Sequence, residues 1–310
     1  MSAGADERVP TVSLGLPVFN GENYLAEAIE SILGQTYGDF ELIISDNAST
    51  DGTEKIVLGY ADADDRIRYH RNPTNIGGSR NQTLTMEMSR GRYYRMAAHD
   101  DFIAPTFLEE CVKVLDARPE VVICFSGTIV IDEKSEEVSR YHSTRGTADR
   151  PSERFAELAF RDHNCDAIYG LMRNDILRTT PPMGNFIDAD KVYLCSLAMR
   201  GPFVSIPDYL FYKRYHFKNW VGNWRDRMAW FNPDRKGKIS LPNWLELGAF
   251  VRVVATAKVG VGERLRCVAT TFRWALRYSP NLAKDVLVAV QAMFQRLRKR
   301  PAEDGLYNWE

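Results

Sequence analysis

Residues 40–53 read FELIISDNASTDGT. Leu42, Ile43 and Ile44 make a short unbroken apolar run rich in β-branched residues, so Phe40 to Ser45 is expected to be a strand inside a sheet, closed by Asp46. The small, turn-forming residues from Asn47 to Gly52 let backbone and short side chains come close to a ligand, and Thr53 to Tyr60 begins a helix. Working outward, Thr11 to Val18 reads as a buried strand. Asn23 to Leu33 carries Leu25, Ala28, Ile29 and Ile32 at helical spacing. Strands at Ile67 to His70, Tyr93 to Ala97 and Val121 to Phe125 alternate with helices at Ser79 to Ser89 and Pro105 to Ala117. Such alternation predicts an α/β fold, a mostly parallel mixed sheet flanked by helices. From Ile131 to about Arg154 the text turns polar and charged, as a loop or hairpin leaving the core would. Asp166 to His216 returns to mixed strand and helix, and a helical segment follows from about Asn219.

The chain has 310 residues and a formal charge of −1, enough for one large domain plus an appendage and without an overall drive toward nucleic acid. Charge is unevenly placed. From residue 219 onward sixteen Lys and Arg face eight Asp and Glu, so the tail carries +8 and the preceding part −9. Five cysteines, Cys111, Cys124, Cys165, Cys195 and Cys267, show no C-x-x-C spacing; buried thiols in a reducing, cytoplasmic setting are expected. The polar N-terminus and the lack of a long apolar run predict neither secretion nor membrane spanning.

Three carboxylates fall where strands release the chain: Asp46 after FELIIS, and Asp100 with Asp101 after YYRMAA. Ligands of open α/β sheets bind at that edge. A strand-ending Asp can also simply cap the next helix, but adjacent carboxylates repel unless a cation joins them, and hard oxygen donors in small number suit Mg²⁺ or Mn²⁺ shared with phosphates. NIGGSRNQTL, residues 75–84, places two glycines before a helix and Arg80 in its first turn, an arrangement that favours phosphate oxygens. The first strand lacks a G-x-G-x-x-G sequence after it, so a dinucleotide fold has little support.

Taken in order, PVFNGENYLAEAIESILGQTYGDFELIISDNASTDGT, NPTNIGGSRNQTL and GRYYRMAAHDDFIAP resemble the inverting family 2 glycosyltransferases over about residues 10–217. The resemblance implies a GT-A fold and a nucleotide-sugar donor carrying UDP, dTDP or GDP. It further implies that Pro17 and Phe19 lie against the base, Asp46 and Asn47 at its hydrogen-bonding edge, Arg80 at the diphosphate, Asp100 at the ribose, and Asp101 on a Mg²⁺ or Mn²⁺ ion. In the second half, Ile187 to His216 resembles the family's acceptor segment. Asp190, eleven positions before Gly201, takes the place of the general base, with Asp188 its competitor, while Arg214 and His216 match a closing R-x-H near the diphosphate.

These readings divide the chain into a catalytic domain, 1–218, with a nucleotide-sugar half at about 10–130 and an acceptor half at about 131–218, and a basic helical extension, 219–310. The expected activity is transfer to an acceptor hydroxyl, lipid-linked or glycan, in cell-surface polysaccharide or other glycoconjugate synthesis. Val286, Leu287, Val290, Met293, Phe294 and Leu297 make an apolar face ahead of Arg298, Lys299 and Arg300, which suits either peripheral contact with an anionic membrane or docking on the protein itself. A homo-oligomer stays open, as do two rival functions: a nucleotide-sugar-binding protein with weak catalysis, and a sugar nucleotidyltransferase. The latter would want a basic Gly-rich loop where this chain has LPVFNGENYL.

Overall fold

The computed structural model describes residues 9–160, 164–215 and 239–297. These form two compact units. The first comprises the described residues up to Thr144, with Asp166–Pro181 and Phe203–Tyr215, and holds the sheet. Its elements are β1 (Val12–Val18), α1 (Leu25–Leu33), β2 (Phe40–Asp46), α2 (Thr53–Ala61), β3 (Ile67–Arg71), α3 (Gly78–Met88), β4 (Tyr93–Met96), β5 (Phe102–Ile103), α4 (Phe107–Ala117), β6 (Ile123–Ile131), β7 (Glu137–Tyr141), β8 (Leu171–Arg173), α6 (Asn174–Arg178) and β9 (Phe203–Arg214). Strand order is β3-β2-β1-β4-β8-β6-β9-β5, with β7 also on β6.

The first four strands run parallel, and β2 is buried along its whole length, as its unbroken apolar text requires. Helix α1 buries Leu25, Ala28, Ile29 and Ile32, the stripe that its spacing marks. The chain lays β2 and then β3 on one side of β1 and returns to lay β4 on the other. That reversal is a topological switch point, and the carboxyl ends of the strands there are where open α/β sheets bind their ligands. Strands β8, β7 and β5 then pair antiparallel, which makes the sheet mixed.

One difference from the sequence reading has a physical cause. Strand β6 continues past Phe125 to Ile131, through Ser126-Gly127-Thr128, where its register with β9 shifts. Gly127 is required there, because a Cβ would meet His142 and Tyr209 at 2.6–2.8 Å. Of the two forms expected for the charged stretch after Ile131, loop or hairpin, the structure shows the hairpin, and its return strand β7 is exposed for most of its length.

The second unit gathers Arg145–Cys165, Pro182–Pro202 and the described residues from 239 onward. It contains α5 (Pro151–Phe160), α7 (Ala189–Ala198), α8 (Pro242–Thr256), α9 (Val261–Arg277) and α10 (Ser279–Leu297). Edge-on contacts join Phe155, Phe250 and Trp274 at its centre. Arg154 is buried and donates to the carbonyl of Ala198, satisfying the end of α7. The five cysteines are buried and form no disulfide with one another.

Candidate functional site

The switch point is built from the loops that leave β1, β2 and β4. Parallel register sets Val18 beside Asp46 and Asp46 beside Arg71, so three adjacent strands end in one row. The first two loops are laced together: Asn20 N–H donates to Ser49 Oγ at 2.9 Å, Thr50 N–H to Asn20 Oδ1 at 2.8 Å, and Gly21 N–H to Thr53 Oγ1 at 2.9 Å. Asn20 and Ala48 both adopt left-handed backbone, with φ of 52° and 62°; Asn tolerates this readily and Ala does not, so strain is held in this loop pair. Gly21 packs so closely that a Cβ would lie 2.6 Å from Val18 and 2.7 Å from His99, which brings the first loop against the turn after β4. Within this edge Pro17 is half-buried and Phe19 is 41% exposed, an aromatic surface left open.

Asp46 and Asn47 are both buried and face inward. Asp46 Oδ1 accepts from Ser49 N–H at 2.8 Å, while Oδ2 accepts from Tyr69 Oη at 2.9 Å and Arg71 Nη1 at 2.6 Å. Burial, together with this bond to Asp46, pushes the Tyr69 phenol up to about 12, so it serves as a donor. Asn47 donates to Asn75 Oδ1 at 2.9 Å and accepts from Ile76 N–H at 2.9 Å, which ties the β2 loop to the Gly-Gly segment before α3. There Gly77 has φ 85°, a conformation that suits glycine. Arg80 lies in the first turn of α3, but its exposed guanidinium reaches Glu87 two turns along at 2.9 Å, away from the amides where an anion would bind. An exposed pair of that kind is worth at most about 1 kcal/mol and yields easily to a stronger anion.

The turn after β4 carries His99, Asp100 and Asp101. Asp101 is buried and accepts the Arg214 N–H on Oδ1 at 2.8 Å. Burial, then the neighbouring Asp100 charge, pushes its carboxyl up to about 7, against the pull of the Arg214 amide, Lys213 and Arg95. Arg214 is itself buried: Nε donates to the Asp100 carbonyl at 3.0 Å, Nη1 to the Asp132 carbonyl at 2.9 Å, Nη2 to Glu27, and the guanidinium stacks 4.2 Å from the Tyr24 ring centroid. It clamps this turn to α1 and the β6–β7 hairpin. Behind the turn Arg95 is buried between the rings of Phe107 and Phe211, 5.0 and 5.7 Å away, and burial pushes it down to about 10.

Asp190 belongs to the second unit. It is half-buried in the first turn of α7, its Oδ1 accepts the Lys191 N–H at 2.8 Å, and its charge helps burial push the Cys165 thiol upward. Asp188, exposed and left-handed at φ 64°, precedes that helix. His216 lies outside the described residues.

Among the described residues no cluster of three or more His, Cys, Asp or Glu side chains is placed to hold a metal. The Asp100–Asp101 pair offers hard oxygens only, with a buried carboxyl next to a like charge, the donor set that a divalent cation relieves when a bound molecule supplies the remaining ligands. Arg71, Tyr69, Arg95 and Tyr24 join the site without having been singled out in the sequence. Arg71 was the most accessible of these, since two parallel strands ending in Asp and Arg point to a pair.

The fold is similar to a solved structure of S. aureus TarS, residues 1–349, in complex with UDP-GlcNAc (TM-score 0.65, 15% identity, 91% of this chain and 81% of that one). It is also similar to the mannosyltransferase PcManGT of Pyrobaculum calidifontis in complex with GDP-Man and Mn²⁺ (TM-score 0.55, 16% identity, 94% and 83% covered). At these identities the likeness is one of fold, and it makes the first unit with its helices GT-A-like. An uncharacterised glycosyltransferase of Rickettsia typhi is 36% identical over 128 residues, which is 41% of this chain and 39% of the relative's length. Residues 13–180, more than half of the chain and the stretch that carries the switch-point loops and the Asp100–Asp101 turn, match Glycosyl transferase family 2, and the chain therefore belongs to that family.

Proposed function

We propose that the protein transfers a sugar from a nucleoside diphosphate sugar to an acceptor hydroxyl with inversion at the anomeric carbon. The observation that carries this reading is the Asp100–Asp101 turn standing beside the open Phe19 loop at the switch point. The nucleotide ligands of the fold neighbours, UDP-GlcNAc, UDP and GDP-Man, support a donor of this class. Pro17 and Phe19 would flank the base. Asp46, through Arg71, would set the polar edge that the base meets, and Asn47 would set the position of the Gly-Gly segment. Arg80 would exchange Glu87 for diphosphate oxygens, a trade between a solvated carboxylate and a denser negative charge.

Asp101, with Asp100 toward the ribose, would hold Mg²⁺ or Mn²⁺; that ion supplies Lewis-acid neutralisation of the departing diphosphate. Asp190 would take the proton of the acceptor hydroxyl as it attacks in line, so that a single carboxylate suffices and no covalent glycosyl-enzyme forms. The acceptor would be a glycan or lipid-linked hydroxyl at the cytoplasmic side of glycoconjugate synthesis. The test is a thermal-shift panel of UDP, dTDP and GDP sugars with and without Mn²⁺, followed by turnover. A donor at 100 times its dissociation constant adds about 2.7 kcal/mol of stability. Asp101→Ala should remove the Mn²⁺-dependent part of that shift, while Asp190→Asn should keep the shift and lose transfer. Full turnover in Asp190→Asn refutes the base assignment, and the absence of any nucleotide-sugar shift refutes the donor site.

A further inference from the structure

We infer that the outward face of α9 and α10 is a docking surface for an anionic lipid bilayer. Helix α9 has two apolar faces where a helix packed on its own protein needs one. Cys267, Thr270, Thr271 and Trp274 are buried in the second unit. Nearly opposite them, Val261, Leu265, Val268, Phe272 and Leu276 recur at steps of three or four, the period of a single helix stripe, and each is half or more exposed. Helix α10 adds Val286, Leu287, Val290, Met293 and Phe294, again exposed. Ten large apolar side chains open to water on two consecutive helices exceed the scattered single residues that an ordinary surface carries.

Charge selects the occupant. Residues 261–297 hold six Lys and Arg against Glu263 and Asp285. Both acids are turned inward: Glu263 accepts the Ser152 N–H at 2.9 Å and pairs with Arg150, and Asp285, fully buried, accepts both nitrogens of Asn243 at 2.8–2.9 Å. Arg273 and Arg277 flank the apolar stripe of α9, and the sequence beyond α10 continues with Arg298, Lys299 and Arg300. An apolar stripe edged by arginines, with its acids withdrawn, matches the negative surface of a membrane leaflet. A second copy would set like charges against each other. Among the described residues no helix is long and apolar enough to cross a membrane, so the contact is one of surface seating. The inference does not depend on the donor or acceptor chemistry.

The experiment is flotation of the full chain with phosphatidylcholine vesicles, with and without about 30% phosphatidylglycerol, at low and high salt. Binding to the anionic vesicles is expected, at least about tenfold weaker on neutral vesicles, in high salt, or in the Leu265→Ser/Phe272→Ser variant, whose exposed positions leave the thermal melt unchanged. Arg273→Gln/Arg277→Gln should weaken anionic binding and spare any residual neutral binding. Failure to float with anionic vesicles overturns the proposal. So does equal binding to neutral vesicles, or a dimer mass in light scattering that Phe272→Ser reduces to a monomer.

Discussion

The Asp46–Arg71 pair gives a prediction in which the more exposed partner matters more. Asp46 is fully buried, whereas the Arg71 side chain is 34% exposed and also touches Glu54 at 3.2 Å and the Ser49 carbonyl at 2.9 Å. In Arg71→Leu the carboxylate stays behind in the interior. Uncompensated buried charges cost about 3–5 kcal/mol; the surviving bonds from Tyr69 and Ser49 place this one near the lower end, about 3 kcal/mol. For units of this size that corresponds to a melting temperature lower by about 6–12 °C. In Asp46→Asn the Ser49 bond survives and Arg71 turns to Glu54 and water, so the cost should be about 1–2 kcal/mol. The double variant should recover part of the Arg71→Leu loss, because it removes the stranded charge. Thermal melts of the three variants followed by circular dichroism at pH 7 decide the matter. If Asp46→Asn proves as costly as Arg71→Leu, or if the double variant is worse than both, the asymmetry of burial is not what governs this pair.

Arg214→Met should cost about 3 kcal/mol, from the Asp100 and Asp132 carbonyls each losing a charged donor, a partly solvated Glu27 and a lost stack on Tyr24, and should weaken the proposed nucleotide binding by loosening the Asp100 turn; a melt within about 2 °C of the parent would contradict the clamp. Ala48→Gly should stabilise by up to about 1 kcal/mol by relieving the left-handed backbone, and urea denaturation would show it as a higher midpoint. Asn47→Asp takes away the donor to Asn75 and buries a charge, at a cost of about 2–4 kcal/mol measured in the same way. Glu263 is held down to about 2 by its hydrogen bonds from Ser152 and the Arg150 charge, so it stabilises the fold above its unfolded value of 4.5, and that contribution disappears as pH falls from about 4.5 to 2. Glu263→Gln should flatten this acid limb in a pH series of melts; an unchanged limb would remove Glu263 from it.

Much of the first unit was legible because β1, β2 and β4 are almost wholly buried. Buried strands are rich in apolar and aromatic residues, and helices that cover them carry an apolar stripe, so β1, β2 and β4 and the helices α1 and α4 stand out in the text. Legibility fails where one of those conditions lapses. Strand β5 has two residues, β7 is exposed on a hairpin, and β6 is interrupted by a glycine that serves a close approach. The outer stripe of α9 escaped for another reason: its inner face is marked by Cys267, Thr270, Thr271 and Trp274, small or mixed residues, so the apolar period in the sequence traces the exposed side.

The site divides along a similar line. Carboxylates at strand ends can be located from sequence, because the strand itself is visible and Asp46, Asp100 and Asp101 each follow one. What each carboxylate does depends on neighbours that only register supplies. Asp46 ends β2 beside Arg71, which ends β3, and so becomes an internal anchor; Asp101 meets a backbone amide and the distant cation Arg95, and so keeps a carboxyl that burial and its neighbour hold near neutrality. Identical side chains thus sit in different settings, Asp46 paired with an arginine at the end of the neighbouring strand and Asp101 buried in the turn after β4 against a like charge. Strand register and the loops that follow each strand, rather than residue type, therefore decide what each of these carboxylates touches.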